Sequence, residues 1–481
     1  MDISKLSMLR KTPKRFPNIP GKAKGFSKRN RKFFGRDIME FSLKIPNMLG
    51  KVLCAFPSHF TSKSMLLSLS KYFSSIYHEA LSKPFIFPTF AVTNNVNTDK
   101  IFKTDKKSLK KAFTEFSFFC PDKNVRSIIK KAMYLTFSKG GEVSADNYRK
   151  NIEIFANILQ KYSENELRLG GNAGNASVAL ACLKNHTYLS GSIRNDYYGK
   201  FILNFLKEKG VKTDFLNTHE GKQAVTFCIE AADRGFLCDG ADNRYLQMGE
   251  NFTSSCLKNK FDCLLILGCH VMRHDFDKLL GFVREIKQKT NTILITDAGD
   301  FSDFPRNRLE NVFELFKMAD IACFNETEIA CFAETLFDYK LDERKFVDLI
   351  NAAKIMADET KNVINVHAKN YVFNLFSNKL IPVPTLLAKR EKTKIGLGDC
   401  FVAGLAFGFL QPGKPMVRLR NSLLIGNACA VSHMETGNYC SLEYAQNRPY
   451  ICSRGVDDIS NLLKLLKYDE KKFIKENVIL L

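Results

Sequence analysis

The sequence predicts an α/β protein whose mainly parallel sheet is covered by helices on both faces. Two observations carry this. From residue 84 onward, short apolar runs alternate with segments of helical period, the order that builds parallel sheets. Two glycine-rich turns, Gly170-Gly171 and Gly396-Leu397-Gly398, each open an apolar helix. At 45% hydrophobic and 25% charged residues over 481 positions, a packed core is expected and global disorder is excluded.

Residues 1–83 do not share the pattern and are expected to be a basic, partly disordered extension, followed by one domain over 84–481. Half of the net charge of +22 falls in residues 1–36, where Pro13, Pro17 and Pro20 break any continuous basic helix. A solvated tail is expected there. Nucleic-acid contact through residues 1–36 is the alternative, and a transit peptide a third reading, which Asp2 and the missing amphipathic period disfavour. The run MLLSLSKYFSSIYHEAL has a broad apolar face, Leu66 to Ile76, and predicts a helix.

PFIFPTFAV, from Pro84, reads as the first buried strand, and the spacing from Tyr148 to Tyr162 is helical. A helix NASVALACL, a strand TYLSGSI and a helix YGKFILNFLKEKG follow. AVTFCIEA and GFLCDGA form a hairpin around Asp233, Arg234 and Gly235. Strands FDCLLILGC, TILITDAG, DIACFN and VINVH then alternate with helices DKLLGFVREIKQK, RLENVFELFKM and VDLINAAKIMADE. A hairpin turns at Ser377 and Asn378, and GLGDCFVAGLAFGFL runs from a glycine turn into a helix.

No apolar run reaches the roughly 18 residues that span a bilayer, so no membrane role is expected. Fourteen cysteines without a C-x-x-C pair, and scattered histidines, show no metal or disulfide framework and point to a reducing cytoplasm.

Four motifs carry chemistry. Gly396-Leu397-Gly398-Asp399 stands at a helix start, where backbone N–H groups make an anion site. A carboxylate beside an anion site is the pair that phosphoryl transfer needs, although Asp399 as an ordinary cap explains the same letters. Gly170-Gly171-Asn172-Ala173-Gly174-Asn175 lets a ligand approach closely and offers amides to hydroxyls; a tight turn with an Asn cap is the plain alternative. Asn97 and Asp99 alternate beyond the first strand, point the same way on extended backbone and suit a polyol; an Asx turn would use them too. Asn325 and Glu328 share a helix face, where a carboxylate can hold Mg²⁺ through water, or where the two form a capping box.

In this order the motifs resemble the PfkB carbohydrate kinases of the ribokinase-like superfamily, over about residues 85 to 450. GGNAGNAS is similar to the first family signature through Ser177; the sequence departs from it afterwards, with Lys184 where a small residue is expected. DRGFLCDGADNRYL resembles the lid hairpin. In the second signature Thr393 and Lys394 replace the usual Asp-Thr, and KTKIGLGD with VINVHAKNY looks more like the ADP-dependent glucokinases and phosphofructokinases.

The resemblance implies a three-layer α/β/α fold with a small β-rich lid from about 98–122 and 222–242. It implies a Mg²⁺-dependent sugar kinase that uses ATP or ADP on a hydroxyl of a sugar, sugar phosphate or nucleoside. Asp399 is then the base, with Gly396, Leu397 and Gly398 as the anion hole. Asn97, Asp99, Gly171, Asn172 and Asn175 take the acceptor. Asn325, His367 and Asn427 take the nucleotide, and Glu328 and Asp297 the metal. Arg194, Arg234 and Lys394 are further phosphate candidates, or plain surface cations. A non-catalytic nucleotide or sugar sensor stays open as a rival, as does a nucleic-acid-associated protein. The acceptor, the donor and the oligomeric state, a dimer included, stay open.

Overall fold

The computed structural model describes residues 63–481 apart from 139, 222, 298, 302, 303 and 477. The basic segment 1–36, and with it the nucleic-acid reading, lies outside the described residues.

The main body is a ten-stranded sheet. Its strands are β1 (Thr89–Asn94), β5 (His186–Arg194), β6 (Lys212–His219), β9 (Cys263–Leu267), β10 (Ile293–Asp297), β11 (Ile321–Phe324), β12 (Val363–His367), β13 (Tyr371–Phe376), β14 (Lys379–Pro384) and β15 (Ile479–Leu480). The order is β15-β14-β13-β12-β11-β10-β9-β1-β5-β6. Pairing is parallel from β6 through β12 and antiparallel from β12 to β15. The central parallel strands are buried on both faces, which is why CLLIL in β9 has no polar alternation.

A second, five-stranded sheet has the order β3-β8-β7-β2-β4. It is built from β2 (Asn97–Lys103), β3 (Gly141–Ser144), β4 (Glu164–Gly170), β7 (Val225–Glu230) and β8 (Arg234–Asp239). This is a larger body than a lid of 98–122 and 222–242. Within 98–122 only the start is strand, because the Asp105 carboxylate accepts from Lys107 and Ser108 N–H and starts a helix there. Three helices, α2 (Lys106–Phe119), α3 (Lys123–Thr136) and α4 (Arg149–Leu159), share a core with this sheet, including Phe116, Ile129 and Phe155.

The remaining helices are α1 (Lys63–Ser82), α5 (Asn172–Cys182), α6 (Tyr197–Glu208), α7 (Glu250–Leu257), α8 (Phe276–Lys289), α9 (Arg306–Met318), α10 (Glu326–Phe337), α11 (Phe346–Thr360), α12 (Leu397–Phe409), α13 (Pro415–Thr436), α14 (Leu442–Asn447), α15 (Gly455–Leu465) and α16 (Glu470–Glu476). One packed set contains α1, α5, α12, α13 and α15, and another α7 to α11. α12 is buried along nearly its whole length; its small residues Ala403, Gly404 and Gly408 let α13 approach closely.

Two expectations shift. The first strand starts at Thr89, not Pro84; the preceding backbone is tied instead to Gln411, which accepts from Ile86 N at 2.9 Å and donates to Ile86 O at 3.1 Å. The predicted helix near residue 66 exists but belongs to the body. Leu69, Phe73 and Tyr77 are fully buried, and Tyr77 Oη donates to Pro384 O at 2.8 Å and accepts from Asn427 Nδ2 at 2.7 Å. The domain therefore includes α1, and the boundary at residue 83 falls.

Candidate active site

A cleft of about 470 Å³ opens where five strands end, beyond β1 at Asn95, β9 at His270, β10 at Asp297, β11 at Asn325 and β12 at His367. Open α/β sheets bind ligands beyond the carboxyl ends of their strands. The second sheet supplies the other wall through Asn97, Asp99, Glu142, Thr226, Phe236 and Cys238.

Asp399 stands in the first turn of α12. Gly396 precedes the helix at φ +74°, left-handed backbone that a side chain would strain. The first-turn amides have no intrahelical acceptor, and residues 396–399 line the cleft. Gly171, at φ +81°, opens α5; a Cβ there would lie 2.5 Å from Asn95 O, so only glycine fits. The turn puts two amides onto Asp399. Asn172 Nδ2 donates to its Oδ1 at 2.9 Å and Asn175 Nδ2 to its Oδ2 at 2.8 Å. Burial pushes the Asp399 carboxyl up to about 6, against these two amides, which favour the ionised form.

Asn97 and Asp99 face the same way, as the alternation predicts, since the side-chain oxygens of both stand where a Cβ on Gly170 would lie. Asn97 Nδ2 donates to Thr226 Oγ1 at 2.7 Å, and its buried Oδ1 has no hydrogen-bond partner among the described residues. Burial, and then the charges of Asp399 and Glu142, push the Asp99 carboxyl well above the usual carboxylate range.

Asn325 and Glu328 form a full capping box on α10. Glu328 N donates to Asn325 Oδ1 at 2.9 Å, and Glu328 Oε2 accepts from Asn325 N at 2.8 Å. The plain explanation of these letters is thus true. It does not exclude the other: Asp297, Glu328 and His367 each bring a ligand atom within 4.8 Å of the others. Burial and the Asp297 charge push the Glu328 carboxyl well above its ordinary value. Burial pushes the His367 imidazole down to about 4, and its ring stacks on Phe401 at 5.1 Å.

The cleft therefore gathers every candidate named from the sequence except three, Asn427, Arg194 and Lys394. Asn427 lies in the interior of α13, 2% exposed and bonded to Tyr77, and does not line the cleft. Arg194 pairs with Asp242. Lys394 Nζ donates to Ala232 O at 2.8 Å, and Thr393 Oγ1 accepts from Arg168 at 3.2 Å, so neither departure in the second signature lines the cleft. Arg234 does line it.

Sequence reasoning missed Glu142, His270 and Asp300. Glu142 Oε2 stands 3.1 Å from His270 Nε2; burial, the largest influence, opposes charge on both, but the partner's charge and hydrogen bond together with the other neighbours win, lowering the acid and raising the base. His270 directly follows β9, so the strand-end rule was the available signal for it. Glu142 lies in GGEVS, a segment without a motif.

Residues 139–440 match the model of the pfkB family carbohydrate kinases. A 5-dehydro-2-deoxygluconokinase from Clostridium tetani is 22% identical over 255 residues, 50% of this chain and 72% of that protein. Adenosine kinase from Schistosoma mansoni in complex with 2-fluoroadenosine superposes with a TM-score of 0.56 at 16% identity, covering 74% of this chain and 98% of the other. Ribokinase from Arabidopsis thaliana, complexed with ribose and ATP, gives 0.52 at 16% identity over 80% and 100% of the two chains. These neighbours establish a ribokinase-like α/β fold. None of these relatives supports the likeness to the ADP-dependent kinases drawn from KTKIGLGD, which rested on one short turn and a neighbouring strand.

Proposed function

The chain belongs to the pfkB family of carbohydrate kinases, phosphotransferases with an alcohol acceptor, and on that premise we propose that it phosphorylates a hydroxyl of a sugar or nucleoside from ATP, with Asp399 as general base. The observation that carries the reading is the setting of Asp399, buried, held at both oxygens by amides and placed beside the free amides of α12. A general base must be ionised near neutral pH and aimed at one proton. Two amide donors do both for Asp399. Such a base is worth about 10²–10⁴ in rate. The amides of residues 396–398 would hold charge on the transferring group, each donor being worth roughly 3 kcal/mol.

Asn97, Asp99, Asn172 and Gly171 form the acceptor wall in this reading. Carboxylate and amide oxygens there accept from hydroxyls and the Asn172 amide also donates. Asn325 and His367 stand on the nucleotide side, with Asn427 removed from the set. Asp297 and Glu328 fit a divalent cation, since two buried carboxylates of like charge are relieved by one. Oxygen donors suit Mg²⁺, whereas the His367 nitrogen is the softer ligand. Bound there, Mg²⁺ would neutralise phosphate charge.

The test is phosphoryl transfer by the purified full chain with Mg²⁺, offering ATP and ADP separately over sugars and nucleosides. Turnover with ATP is expected. Turnover with ADP alone would reverse the donor. Nucleotide binding without turnover over the panel would move the protein to the non-catalytic sensor reading.

A further inference from the structure

Tyr439 has no part in the motifs above. It leaves the turn after α13, which Gly437 ends at φ +70°. Its hydroxyl donates to Asn175 Oδ1 at 2.6 Å, and Asn175 Nδ2 donates to Asp399 Oδ2 at 2.8 Å. An amide has one accepting and one donating end. An ionised carboxylate only accepts, so the N–H end must face Asp399 and the oxygen must face a donor. The Tyr439 hydroxyl is that donor. Its ring is fixed in turn, stacked on His433 with centroids 5.2 Å apart and planes 24° from parallel. The His433 ring nitrogens lie 2.9 Å from Ile395 O and 3.1 Å from Asn438 O. The Tyr439 side therefore packs directly behind the Gly396 turn.

We propose that Tyr439 is a positioning residue, which locks the Asn175 amide so that its N–H, and never its oxygen, faces Asp399. The inference rests on the reading of Asp399 as base. With the hydroxyl gone, Asn175 can turn its oxygen toward Asp399, where only the protonated acid can donate to it. The neutral form of Asp399 is then favoured, and activity on the acid side is lost at higher pH. The other groups around Asp399 are Asp99 on β2, Glu142 on β3, His270 after β9 and Cys400 on α12, and the substitution leaves them in place.

Tyr439→Phe keeps the ring and its stack. The pH profiles of kcat for wild type, Tyr439→Phe, Asn175→Ala and the double variant test the idea. The acid limb of Tyr439→Phe is expected to move up by about 1–2 pH units, the scale of one hydrogen bond to a charged group. Activity should recover in alkaline solution, with the acceptor KM unchanged. The double variant should show no further shift than Asn175→Ala, since both remove one donor. An unshifted limb, or a loss by the same factor at every pH, overturns the inference. Should Tyr439→Phe fail to fold, the Asn175→Ala limb decides in the same way. Asp399→Asn separates the two levels. Full turnover in that variant overturns the base reading and this inference with it; a dead Asp399→Asn beside an unshifted Tyr439→Phe overturns this inference alone.

Discussion

Two of the buried acidic groups in the cleft solve opposite problems. Asp399 has a donor on each oxygen, so burial lifts its carboxyl only to about 6. Glu328 also has its donors, both from Asn325, and its carboxyl is held well above its ordinary value, first by burial and then by the Asp297 charge beside it. Burial lifts both groups, and what stands against each carboxyl differs. Neutral amides hold one charge in place and leave its lone pairs usable near neutral pH. A second carboxylate makes its partner depend on a cation or a proton. One end of the cleft is built to exchange a proton, the other to hold positive charge.

Several substitutions break or sharpen that contrast. The largest effect is expected from Asp399→Asn, a loss of about 10²–10⁴ in kcat or more with the fold retained by circular dichroism. Wild-type turnover should fall as pH drops through about 6, since the base must be unprotonated, and a flat profile from pH 5 to 8 would remove Asp399 from that role. Asp297→Asn should raise the Mg²⁺ concentration for half-maximal activity by about 10–100-fold. A Mg²⁺ titration of both proteins reads this, and superimposable curves would leave the acidic pair without a cation. The smallest effect on activity belongs to Asn427→Ala. It should lower stability by about 1–2 kcal/mol in urea unfolding, through Tyr77, and leave the ATP KM unchanged.

What could be read in advance follows from distance along the chain. Asn97 and Asp99 were legible because strand alternation is local, and Asn172, Asn175 and Asp399 because each stands next to a glycine turn whose geometry is local too. The Glu142–His270 pair joins residues 128 apart, from two different sheets, and no spacing rule brings them together. Asn427 shows the reverse failure. The resemblance set its amide against the nucleotide, but in the fold that amide bonds a phenol 350 residues earlier and does not line the cleft. The second sheet was underestimated for a like reason: β3 and β4 pair with strands that come before or after long helical insertions.

The bond between Tyr77 and Asn427 also sets a schedule for synthesis. The apolar face of α1 emerges early, whereas its partner emerges 350 residues later. At 5–20 residues per second the wait is roughly 20–70 s, during which Leu69, Phe73 and Tyr77 have no native surface to cover them. The body therefore closes only near the end of translation, and an expression boundary drawn after residue 82 would leave α13 and α15 with a permanent apolar gap.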